Sequence, residues 1–113
     1  MDNLNIINFA EIAAKTTEPY KNIPLTSAND HVIRLSVMTG PFYWHLHPNS
    51  DETFLSVEGS LVIELDNGTI QLTPGQLYTV PRNTNHRTRP GGARSVNLTF
   101  ELENIETIKV EKP

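Results

Sequence analysis

The segment WHLHPNSDE, from Trp44 to Glu52, places two of the chain's four histidines, His45 and His47, one residue apart, with a carboxylate five positions further on. In a β-strand alternate side chains share a face. An extended backbone from Tyr43 to His47 therefore projects both imidazoles together, with Tyr43 on the same side. Pro48-Asn49-Ser50-Asp51 reads as a turn, which is expected to return Glu52 on the neighbouring strand. A third imidazole, His86, follows LYTVP and the turn-like RNTN, and is expected to approach from the far side. Three neutral imidazoles and a carboxylate suit a divalent transition metal (Zn, Mn, Fe, Ni or Cu) and leave positions open for water or substrate. His31 has no such neighbours and reads as a surface or hydrogen-bonded histidine.

The elements that must hold these groups are mostly short strands. HVIRLSVM, TFLSVE, LVIEL, TIQL, LYTV and RSVNLTFEL each carry β-branched or aromatic residues over strand-like lengths. Asp66-Asn67-Gly68 between LVIEL and TIQL is a hairpin signal, because the central positions of such turns favour positive φ. Pro74-Gly75, Gly40-Pro41 and Gly91-Gly92 mark further turns. The first thirty residues differ in kind. Asn8 followed by Glu11 resembles a capping box before a short helix, FAEIAAK. Pro19 and Pro24 then predict an extended or irregular stretch from Glu18 to Thr26. Short strands at near-regular spacing, with turns between them, argue for an all-β sandwich or barrel.

Composition narrows the functions further. A chain of 113 residues is one domain with one modest core. No apolar run approaches the roughly 20 residues of a membrane helix. The acidic, polar N-terminus lacks the basic region of a secretory signal. The chain contains no cysteine, which excludes disulfides and thiolate metal sites and fits a cytoplasmic setting. A net charge of −4 and a pI near 5.5 argue against nucleic acid as a partner. Arg82, Arg87, Arg89 and Arg94 cluster locally, and they read as a solvated face balanced by acids such as Glu101 and Glu103.

GPFYWHLHPNSDETFLSVEG resembles the first motif of the cupin superfamily, G-x5-H-x-H-x(3 or 4)-E-x6-G. Gly40, His45, His47, Glu52 and Gly59 fill its marked places, with four residues instead of five between Gly40 and His45. GQLYTVPRNTNH resembles the second motif, G-x5-P-x-G-x2-H-x3-N, through Gly75, Pro81 and His86. Asn83 stands where that motif has glycine, and Pro90 where it ends in asparagine. Asparagine adopts the left-handed turn conformation more readily than most residues, so Asn83 is expected to preserve the turn. The resemblance spans roughly His31 to Glu101. It implies an antiparallel double-stranded β-helix, or jelly-roll barrel, over residues 31–113, preceded by an N-terminal helix and extended arm in residues 1–30. It also implies His45, His47, Glu52 and His86 as ligands of an internal metal. A homodimer is implied too, with the Glu18 to Thr26 segment packed on its partner. The chain looks most like a group of small bacterial cupins loosely compared with sugar-phosphate isomerases.

Fold and ligands do not fix a reaction. Two readings stand: a metal-dependent enzyme, dioxygenase- or isomerase-like, acting on a small organic molecule; or a non-catalytic module that binds or senses a small ligand such as a sugar. Tyr43, Phe54 and Tyr78 are candidates to line a substrate pocket, and each could equally be core. The sequence reveals no separate general base. Glu58 and Glu64 are candidates only as acids, and Glu64 should face solvent because Leu61, Ile63 and Leu65 occupy the other face of its strand.

Overall fold

Asn8 caps a helix, α1 (Phe9–Lys15), by accepting a hydrogen bond from the Glu11 backbone N–H at 3.3 Å. A helix this short is marginal in isolation. It is held instead by packing Phe9, Ile12 and the buried Ala13 against a sheet, and by Arg94, which donates to the Ala13 carbonyl at 2.6 Å. The computed structural model describes residues 5–112. Residues 1–4, part of the N-terminus read as lacking a secretory signal, lie outside the described residues, as does residue 113.

Ten strands follow: β1 (Tyr20–Ala28), β2 (His31–Met38), β3 (His45–Leu46), β4 (Glu52–Glu58), β5 (Leu61–Leu65), β6 (Gly68–Leu72), β7 (Leu77–Val80), β8 (His86–Pro90), β9 (Ser95–Leu102) and β10 (Ile108–Lys109). They form two five-stranded sheets, β1-β2-β9-β4-β7 and β10-β3-β8-β5-β6, with every pairing antiparallel. The result is the expected jelly-roll barrel with its short N-terminal helix. The Glu18 to Thr26 stretch is extended, as Pro19 and Pro24 predict. Most of it belongs to β1, which pairs along its length with the chain's own β2 around a bulge between Pro24 and Thr26. Strands β8 and β10 escape the sequence reading because HRTRP and IK lack an apolar alternation.

The two sheets bury apolar groups in two places. Between them, Met38, Phe54, Leu61, Ile63, Leu72 and Val80 close one end of the barrel. On the outer face of the β1-containing sheet, Leu35, Val37, Val96 and Leu98 pack under α1. The inner face of that sheet is therefore free to carry polar residues.

Turn chemistry sets the joints. Pro74 and Gly75 form a turn closed by a bond from Gln76 N–H to Thr73 O at 3.0 Å, with Gly75 at φ +92. The Asp66-Asn67 loop joins β5 to β6 as expected. It does so with positive φ at Gly68 (+150) and not at Asn67, because the glycine sits at the first residue of β6. Gly59 is the most constrained. It has φ +67, and a Cβ there would lie 2.2 Å from the Arg94 carbonyl oxygen. Gly59→Ala should therefore cost on the order of 2–4 kcal/mol. An unchanged midpoint in urea denaturation would show that the turn tolerates a side chain.

Candidate metal centre

Strand parity holds at the histidines. His45 opens β3 and pairs directly with His86 at the start of β8. His86 is thus the next strand over, and does not come from the far side. Glu52 is the residue that crosses. Pro48 to Asp51 carries the chain from β3 in one sheet to β4 in the other, so the carboxylate faces the histidines across the barrel and not from a neighbouring strand. The turns are tied to one another. Asn83 N–H donates to the His47 carbonyl at 2.8 Å, and Arg82 N–H donates to the Asp51 carboxylate at 2.9 Å. Asn83 has φ +63, the conformation its glycine-like position requires.

Each ligand-type imidazole is oriented by a backbone carbonyl. His45 Nδ1 lies 2.8 Å from Tyr43 O, His47 Nδ1 lies 2.9 Å from Glu106 O, and His86 Nδ1 lies 2.8 Å from Thr84 O. A carbonyl only accepts, so each Nδ1 carries the proton and each Nε2 is left for the interior. One donor atom from each of His45, His47, Glu52 and His86 lies within 4.8 Å of the others, and all four residues are buried. Two donors on one ion at about 2.1 Å are at most about 4.2 Å apart, so this spread is close to what a single ion requires. The buried His86 Nε2 has no hydrogen-bond partner among the described residues. An orphaned lone pair facing a carboxylate and two further imidazoles fits a metal ion.

Charge in the cluster is unevenly distributed. His45 is pushed down to about 4, by burial first and then by its neighbour His86, and so is neutral at pH 7. His47 moves the other way. Burial alone would lower it, but the Glu52 carboxylate at 3.1 Å holds its proton and raises its pKa. Burial pushes against ionisation of Glu52, yet the hydrogen bond from His47 and the His86 ring 3.5 Å away keep it far below the usual carboxylate range. Glu101, on β9 beside it, is pushed up to about 8 by burial and by the Glu52 charge, so it donates its proton to Glu52.

The cluster opens into a cavity of about 410 Å³. Of the aromatic candidates, Phe54 lines this cavity, with its ring 6.3 Å from that of His86. Tyr43 does not line it. The paired strand starts only at His45, so alternation does not extend back to residue 43. Its ring, 39% exposed, stacks on Phe42 at 4.1 Å outside the cavity. Phe42 takes the wall position instead. Tyr78 packs against the apolar core. Glu64 faces outward and pairs with Arg87 and Arg89, while Glu58 pairs with Arg94 at 3.3 Å. These two acids pair with three of the cluster's four arginines, Arg87, Arg89 and Arg94. Glu101 does not, being turned inward. His31 is exposed beside Asp30. The sequence reading missed Asn22, Arg34, Ser36, Asn97 and Glu101, which all line the cavity. Their signal was the polar alternation of R-x-S in β2 and N-x-T-x-E in β9, which ordinarily marks a solvent face. Ile105 and Thr107 of the C-terminal segment also line it, held by Asn49, which bonds to Asn104 O and Glu106 N–H.

An antiparallel two-sheet barrel with three inward histidines and one glutamate is the architecture of a cupin. A family model described as a cupin domain matches residues 33–100, and the chain belongs to that family. It is 40% identical over 106 residues to the uncharacterized protein YdbB of Bacillus subtilis, covering 93% of each chain. The fold superposes on a cupin-2 domain containing protein from Shewanella frigidimarina with a TM-score of 0.80 and 26% identity, over 87% of this chain and 95% of that one. A double-stranded β-helix protein from Klebsiella pneumoniae gives a TM-score of 0.78 at 18% identity, over 95% and 97% of the two chains. Among the described residues no helix is long and apolar enough to cross a membrane.

The charge distribution sets a pH dependence. His47, with its raised pKa, is the first of the shifted imidazoles to hold a proton as pH falls, whereas His45 resists protonation down to about pH 4. A metal ion must displace the His47 proton, so apparent zinc affinity should fall about tenfold per pH unit below neutrality. Competition against a chelator from pH 8 to pH 5 measures this; a flat profile rules out a histidine site.

Proposed function

We propose that this cupin binds a divalent transition metal through His45, His47, Glu52 and His86 and acts in the cytoplasm as a metal-dependent enzyme on a small organic molecule. The observation that carries this reading is the convergence of three carbonyl-oriented imidazoles and a carboxylate, of which His45, His47 and Glu52 line an open cavity. A structural metal is normally enclosed by its ligands, whereas this cluster borders space that a substrate can enter. When bound, a first-row ion would polarise a substrate oxygen or lower the pKa of a bound water. The protein's own groups do the rest. Phe42 and Phe54 exclude water from one side of the cluster, and the carbonyls of Tyr43, Thr84 and Glu106 keep the imidazole lone pairs directed inward.

Pairing of two copies belongs to the same proposal. β1 is an edge strand, and Leu77, on the outer face of its sheet, is 63% exposed. Light scattering on the purified protein should give twice the 12.7 kDa mass of one chain; a monomer at micromolar concentration removes this part.

His45→Ala or His86→Ala should lower bound metal to below about a tenth of the wild-type level while leaving the β circular-dichroism signal in place. Full metal content in both variants sinks the ligand assignment. Turnover of small acids, diketones, flavonols or sugar phosphates by the metal-loaded protein, followed by oxygen uptake and product formation, tests the enzymatic part. Tight binding without turnover under every metal replaces the enzyme with a ligand-binding module.

A further inference from the structure

The wall facing the histidines is built of polar side chains that the metal cluster does not use. Register places Arg34 and Ser36 of β2 opposite Thr99 and Asn97 of β9, all on the inner face. Asn22 on β1 faces Ser36 and orients the group, receiving a bond from Arg34 Nη1 at 3.2 Å and donating to Ser36 Oγ at 3.0 Å. Arg34 Nε lies 3.5 Å from Glu101 Oε2. These contacts fix the guanidinium plane and leave most of its N–H donors open. Asn97 is 1% exposed, lines the cavity, and has no partner for its Nδ2 among the described residues. A buried amide donor without a partner costs free energy unless something else in the cavity accepts its bond.

We infer that the cavity recognises a small carboxylic acid, its carboxylate held by Arg34 and Asn97 and a second oxygen function directed to the metal cluster. This rests on the proposed metal site for the second contact and for the charge balance; the carboxylate contact itself rests on Arg34 and Asn97. Arginine presents a planar fork that matches the two oxygens of a carboxylate, and Asn97 adds a donor from the adjacent strand. Charge agrees. Even with both carboxyls ionised, Arg34 and a divalent ion together outweigh Glu52 and Glu101. A doubly charged phosphate would bring one more negative charge than a carboxylate into a cavity that already holds the Glu52 carboxylate. Arg34 on β2 and Glu52 on β4 are separated by one strand, about 10 Å between backbones, so an acid of a few carbons reaches both.

Calorimetric titration of the zinc-loaded chain with succinate, malate and pyruvate tests this, with succinamide, lactamide and inorganic phosphate as comparators. The acids should bind at least about tenfold more tightly than the amides and phosphate. Arg34→Met should weaken acid binding by at least about tenfold without changing zinc content. Asn97→Asp, nearly isosteric, should do the same by placing a carboxylate against the ligand, and Arg34→Lys should retain part of the affinity. If Arg34→Met does not fold, the other two variants decide. Equal binding of acids and amides, tighter binding of phosphate, no acid binding at all, or acid affinity unmoved by the variants each overturns the inference. If the wild-type chain takes up no zinc, the metal reading fails separately. The same titrations on metal-free protein then decide the carboxylate site, since loss of acid binding in Arg34→Met supports it and indifference to Arg34 removes it.

Discussion

Three hydrogen bonds from imidazole Nδ1 to backbone carbonyls are the constraint on which the candidate site depends. Without them each ring could turn or change tautomer, and the buried Nε2 atoms would not converge. The carbonyls come from Tyr43, Thr84 and Glu106, in three separate parts of the chain. Two act on the histidine two residues further along, so the local bend that presents the ring also orients it. The third is remote. Glu106 reaches His47 because Asn49 bonds both Asn104 and Glu106, and because β10 adds to the free edge of β3. A C-terminal segment with little apolar content thereby becomes part of the machinery around the cluster.

The same economy shapes the barrel interior. A small barrel normally fills its inside with apolar side chains. Here Leu35, Val37, Val96 and Leu98 point outward and find burial beneath α1, and their alternates, Ser36, Asn97 and Thr99, point inward. Apolar packing between the sheets is confined to the end bounded by Met38, Ile63 and Val80. Anchoring α1 through Arg94 therefore has a consequence beyond the helix. It lets one sheet be stabilised from its outer face while its inner face stays polar and open.

Much of this was legible in the sequence. The spacing of His45, His47, Glu52 and His86 identified the cluster, Asn83 was recognised as a glycine substitute, and the strands with clear apolar alternation, such as LVIEL and LYTV, were found at their observed bounds. What was not legible depends on which sheet a strand joins. Glu52 was expected beside His47 and His86 across from it, and the topology reverses both, because β3 and β4 fall in different sheets while β8 returns to pair with β3. Parity also misled where both faces of a strand are covered. R-x-S and N-x-T-x-E have the alternation of a solvent-facing pattern, and only the position of α1 reveals that the polar side is the inside. Tyr43 failed for a local reason, since β3 begins only at His45 and the Tyr43 ring stacks on Phe42 instead of entering the cavity.

The placement of ligands and wall on different strands bears on how one fold serves many reactions. Three of the four candidate ligands belong to the histidine-bearing sheet or the loop leaving β3, fixed by the His45–His86 pairing and the bonded turns at Asn83 and Asp51. The polar wall belongs to β1, β2 and β9 of the other sheet. Glu101 touches both sets, through Glu52 on one side and Arg34 on the other. A substitution at Arg34 or Asn97 changes the shape and charge presented to a ligand without altering any bond that orients an imidazole. A substitution at Glu101 changes both. The residues proposed to select a ligand and those proposed to hold an ion are thus separable along the sequence, although they border one cavity. Within this one cavity, a change in the polar wall can therefore alter what is accepted while the histidine and glutamate cluster stays as it is.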